Sequence, residues 1–90
     1  MAAVTSGMDI AAVRQLAAEM QKAADEIRQI GTRVTGKLQG TPWLGPDRQK
    51  FEGDWQGRQV QQLNQVALAL GDAAKAATQN ASDQEATSGR

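Results

Sequence analysis

Residues 41–46 read Thr41-Pro42-Trp43-Leu44-Gly45-Pro46, and this stretch decides the fold. Long Ala-, Gln- and Leu-rich segments lead away from it on both sides. Pro and Gly are the strongest breaks in helical sequence, and nowhere else in the chain do both crowd together. Pro42 pushes Thr41 out of the helical region, so a helix arriving from the N-terminal side has to stop by Gly40. Pro46 lacks an N–H and has its φ preset, which suits the first turn of a new helix with Gly45 as its cap. Asp47 follows, where a negative charge favours a helix N-terminus. The hexapeptide is therefore expected to be the bend of a helical hairpin. Trp43 is expected to be buried against something, since a large ring left in water forgoes roughly 1.5–3 kcal/mol.

On the N-terminal side, residues 1–8 read as a flexible segment. The first helix is predicted over 9–39, about 45 Å long. Asp9 is its N-cap, with Met8 and Val13 placed to form a hydrophobic staple; Ser6 is the alternative cap. Apolar residues then recur in three sevenfold rows: Val13, Met20, Ile27, Val34; Leu16, Ala23, Ile30; and Ala17, Ala24, Gly31, Leu38. The rest of the circumference is charged. Glu19 with Lys22, Lys22 with Glu26, and Asp25 with Arg28 stand at pairing distance on what reads as a solvated face.

On the C-terminal side, the bend (40–45) gives way to a second helix predicted over 46–81. Phe51 and Trp55 fall on one side, four residues apart, and Asp54 and Arg58 form an i,i+4 pair. From Gln59 to Gly71 every charge disappears. That stretch continues an apolar stripe through Val60, Leu63, Val66, Ala67 and Leu70, which thins to Ala73, Ala74, Ala77 and Ala81. These small side chains suit the close approach of another helix. Residues 82–90 are polar and read as a disordered tail.

The chain is thus read as all-α, one antiparallel two-helix hairpin. A single hairpin shields only part of each stripe, and the row of Ala17, Ala24, Gly31 and Leu38 and the chargeless stretch are expected to stay wet. Small domains meet this deficit with disulfides, metals or oligomerisation. The 90 residues contain no Cys and no His, so association remains. Two hairpins face to face make a four-helix bundle, its ends closed by Trp43, Phe51 and Trp55.

The same composition argues against catalysis and cofactors. There is no His to activate any hydroxyl, no thiolate, no paired carboxylates on one face and no phosphate-binding glycine loop. Ten basic and ten acidic residues leave no net charge, and nothing marks a nucleic-acid footprint. No apolar run is long enough to span a bilayer, and no Sec-type signal peptide is visible at the N-terminus. The evenly mixed charges disfavour amphipathic membrane binding.

Trp43-Leu44-Gly45, between two long helical segments and followed by Phe51 and Trp55, resembles the signature of the small WXG-motif proteins of the type VII (Esx) secretion pathway. The resemblance covers essentially the whole chain. It implies an antiparallel dimer of hairpins, formed with itself or with a sister WXG-motif protein. It also implies export without a cleaved leader, through contact of the turn with the secretion ATPase, as substrate, carrier or effector partner. The interface implied along the stripes comprises Val13, Leu16, Met20, Ile27, Ile30, Val34, Leu38, Phe51, Trp55, Val60, Leu63, Val66 and Leu70. One departure stands out. The family's Tyr-x-x-x-Asp/Glu element near the C-terminus has no counterpart, for the chain contains no Tyr; four residues before Asp83 stands Gln79, and four before Glu85 stands Ala81. The other reading of the same residues is a cytoplasmic helical adaptor or structural protein whose Trp-x-Gly is only turn chemistry.

Overall fold

Asp9 opens the first helix, α1 (Ile10–Gln39), in a computed structural model that describes residues 7–88. Its backbone is extended and its carboxylate accepts the Ala12 N–H at 3.1 Å, replacing a partner that the first helical turn lacks. Ser6 and most of the segment read as flexible lie outside the described residues. The far end of α1 is closed as firmly. Gly40 N–H donates to the Gly36 carbonyl at 3.1 Å, Thr41 N–H to Leu38 at 3.1 Å and Thr41 Oγ1–H to Lys37 at 2.6 Å.

The chain then turns and re-enters helix at Pro46. α2 (Pro46–Asp54) passes through one π turn (Trp55–Gln59) into α3 (Val60–Ser88), giving unbroken helix from 46 to 88. Apart from Gly7–Asp9 ahead of α1, the described residues are helix and the connecting bend. The π turn has a packing reason. Arg48, Glu52 and Trp55 are half-buried, and the half-buried row resumes at Val60 and Leu63. Five residues separate Trp55 from Val60, too many for one α-helical turn. In a regular helix phased on Val60, Trp55 would face well away from α1; the wider turn absorbs the extra residue.

α3 ends seven residues later than the polar composition of 82–90 suggests, so the reading of 82–88 as disordered is corrected. Gln79 Nε2 donates to Asp83 Oδ1 at 2.8 Å, and Thr87 Oγ1 donates to the Asp83 carbonyl at 3.0 Å. Arg14 reaches Glu85 from α1 at 3.1 Å, and Ala81 is fully buried. Side-chain bonds one turn apart and a tether to α1 hold this end, signals that composition does not carry. Residues 89–90 lie outside the described part.

α1 packs against α3 along its length. Arg14 meets Glu85 near one end, and Thr35 meets Trp55 toward the other, so the path is hairpin-like and the Cα trace measures 66 × 20 × 15 Å. The seam is made of small residues. Ala17, Ala24, Gly31 and Leu38 are buried on α1, and Ala67, Ala74 and Ala81 on α3, each seven residues from the last. The expectation that the α1 row would stay wet is therefore wrong: that row is the seam. Methyl groups and a glycine let the two backbones approach closely, and the bulkier rows are displaced outward. Leu63 Cδ1 sits 3.8 Å from where a Gly31 Cβ would be. Leu38 is the one large side chain in this core. At about 0.8 kcal/mol per buried methylene, such a core stabilises the fold only modestly.

Candidate functional site

The bend is built by three residues with separate duties. Gly45 has φ +112° and ψ −179°, a region that side-chain-bearing residues rarely adopt. Nothing lies within 4 Å of where its Cβ would be, so the backbone angle and not crowding requires glycine. Thr41 closes α1. Arg48 spans the turn: Nη1 donates to the Trp43 carbonyl at 2.9 Å and to the Thr41 carbonyl at 3.2 Å, while Nε pairs with Glu52 at 3.1 Å. Its side chain is only 15% exposed. These carbonyls belong to irregular backbone and have no helical partner, so the guanidinium satisfies what the turn leaves open.

This scaffold presents hydrophobic surface instead of hiding it. Trp43 was expected to be buried; it is 36% exposed, its ring 5.6 Å from that of Phe51 and tilted by 49°. Phe51 is 45% exposed and Leu44 is 94% exposed. Tilted rings at this separation attract each other by about 0.5–1.5 kcal/mol beyond burial, enough to orient Trp43 but not to cover it. Trp55 behaves differently. It lies half-buried with its indole N–H donating to Thr35 Oγ1 at 2.9 Å, and it does not join the Trp43–Phe51 pair.

Along the helices the predicted interface residues divide into three groups. Leu38 is consumed by the intrachain seam. Val13, Met20, Ile27, Val34, Val60, Leu63 and Leu70 are half-buried at its flank. Leu16, Ile30 and Val66 are exposed. Leu68, 59% exposed, was not among the predicted residues. The opposite side of the seam is polar, with a shallow groove lined by Arg14, Gln21, Lys75, Thr78 and Gln79 between alanines. Large apolar side chains thus crowd one side of the seam, beside a core that is almost all alanine.

Sequence reasoning missed Arg48, since nothing in its neighbours announces contact with carbonyls five and seven residues earlier. It also missed Arg14–Glu85, a pair that depends on how far α3 extends. The Asp25–Arg28 and Asp54–Arg58 pairs do form, at 3.5 and 3.6 Å. Among the described residues no cluster of His, Cys, Asp or Glu is arranged to hold a metal, and no helix is long and apolar enough to cross a membrane. Comparison with family models, with curated proteins and with solved structures gives no match.

Proposed function

We propose that this chain is a WXG-motif protein of the type VII (Esx) secretion pathway: an antiparallel hairpin that dimerises into a four-helix bundle and is exported folded, as a substrate, carrier or effector partner. The observation that carries the reading is the state of Trp43-Leu44-Gly45. Gly45 is required by its positive φ, and Arg48 pins the Trp43 carbonyl. On this fixed turn Leu44 is 94% exposed and Trp43, packed against Phe51, is still 36% exposed. A turn needs neither side chain, so their exposure suits recognition by another protein, in this reading the secretion ATPase. The chemistry is protein–protein contact, with no catalytic step and no cofactor.

The C-terminal end supports a dependence on a second protein. Where a Tyr-x-x-x-Asp/Glu element would stand, Gln79 is hydrogen-bonded to Asp83, with no aromatic ring. We therefore expect export to require another protein that supplies a Tyr-bearing element. The test is to express the chain in a host with a working type VII apparatus, with and without such a companion, and to assay the medium for the full-length chain. Release only with the companion is expected. Efficient release of the chain alone contradicts the dependence on a companion, and retention under every condition favours the cytoplasmic adaptor.

A further inference from the structure

The seam row of α3 continues in the sequence but not in the fold. Ala81, Ala74 and Ala67 are buried at sevenfold spacing, and Val60, seven residues earlier, is half-buried. The next two steps of seven land on Gly53 and Pro46. In one unbroken α-helix Gly53 would therefore stand at the seam, allowing the close approach that Ala67 and Ala74 allow further along. It does not stand there. Gly53 is exposed with nothing within 4 Å of where its Cβ would be, and the half-buried positions of α2 include Arg48 and Glu52, in line with Trp55. The π turn over Trp55–Gln59 makes the difference. Such turns are rare, and they recur at functional positions.

Little fixes the choice between the two phases. α2 has no buried residue. The observed register is held by the Trp55 indole bond to Thr35 at 2.9 Å and by the bonds from Arg48 to the bend carbonyls. Gly53 and Gly57 bracket Trp55, so helix propensity is weakest where the register is set. Against these ties, an all-α register regains regular helical hydrogen bonding and puts a small residue at the seam. Passing from one to the other turns α2 by about 100° and moves it about 1.5 Å along its axis, one residue's worth.

We propose that α2 is a two-register switch with the π turn as its latch. In the observed register Trp55 is held on α1, and Phe51 lies against Trp43. In the second the π turn closes to α-helix, Gly53 enters the seam, and Phe51 and Trp55, four residues apart, turn outward together. A partner that binds both rings selects the second register through its differential affinity. Until then the Thr35 bond withholds Trp55. The switch belongs to the hairpin itself and does not depend on the secretion reading.

Relaxation dispersion of the ¹⁵N-labelled chain reads exchange on the microsecond-to-millisecond scale. The Trp55 indole and the Phe51 and Gly53 amides should exchange at one common rate. Gly53→Leu has open space in the observed register but blocks the seam in the other, so it should keep the helical circular dichroism and the Trp55 indole signal while losing the exchange. Deleting Gln56 leaves Trp55 four residues from Val60, the spacing of a plain α-helix, so exchange should vanish and the chain should unfold at a higher temperature. Thr35→Val should raise the minor population about fivefold, the weight of one hydrogen bond. A parent chain without exchange at these sites, or exchange that persists unchanged in Gly53→Leu, overturns the proposal.

Discussion

The Trp55 indole donates to Thr35 Oγ1 across the two helices at 2.9 Å, and the π turn that begins at Trp55 is what brings the ring there. Thr35→Val keeps the side-chain shape and removes the acceptor. It should cost about 1 kcal/mol, the usual net worth of such a bond when water can partly replace it. Thr35→Ser should lose much less. Urea unfolding of the three chains measures both differences, and equal midpoints for valine and threonine would show that the bond carries no weight.

Two glycines should respond to alanine with opposite signs. Gly36 lies inside α1 with nothing within 4 Å of an added Cβ, so Gly36→Ala should stabilise by about 0.5–1 kcal/mol through helix propensity. Gly45→Ala meets no neighbour either, but it must hold φ +112° and should destabilise by about 1–3 kcal/mol. Thermal unfolding followed by circular dichroism separates the two.

Arg48→Ala leaves the Thr41 and Trp43 carbonyls without their shared donor. A loss of about 1–2 kcal/mol is expected, at the lower end of what charge-assisted bonds contribute because the site is partly wet. Arg48→Lys should recover only part of it, since one ammonium cannot reproduce the fork that reaches two carbonyls and Glu52 at once. Helical content should stay near that of the parent, and a collapse of the helical signal would contradict a role confined to the bend.

The termini of the helices at the bend were legible because proline and glycine act locally: Pro42, Gly45 and Pro46 dictate their own dihedrals whatever they pack against. The sevenfold rows were legible for the same reason. Which row faces which neighbour was not. Hydrophobicity ranks Leu16 and Ile30 above Ala17 and Ala24, yet the seam takes the alanines, because the closeness of two backbones is settled by the smallest side chains between them. The π turn escaped notice because it corrects the phase between Trp55 and Val60 by a single residue, visible only once α1 supplies a reference direction. Trp43 was expected inside because a ring gains by burial; at the bend it packs against Phe51 and stays 36% exposed.

The end of α3 offers a further check. Truncation after Ala81 removes Glu85, the partner of Arg14, along with the Asp83–Thr87 bond. Exposed ion pairs contribute about 0–1 kcal/mol, so stability should fall by no more than about 1 kcal/mol. In the full-length chain, amide exchange at residues 82–85 should be slower than in an unstructured peptide; exchange at the unstructured rate would return this segment to a disordered tail.

The claim that matters most is that Trp43 is displayed for a partner and not needed for folding. Trp43→Ala, expressed with its Tyr-bearing companion in a type VII-competent host, tests it directly. The account predicts unchanged helical circular dichroism in the purified variant and a fall in release to the medium of about tenfold or more, the loss expected when a central aromatic contact of about 1.4 kcal/mol or greater is removed. A variant that unfolds, or one that is released as well as the parent, would contradict it.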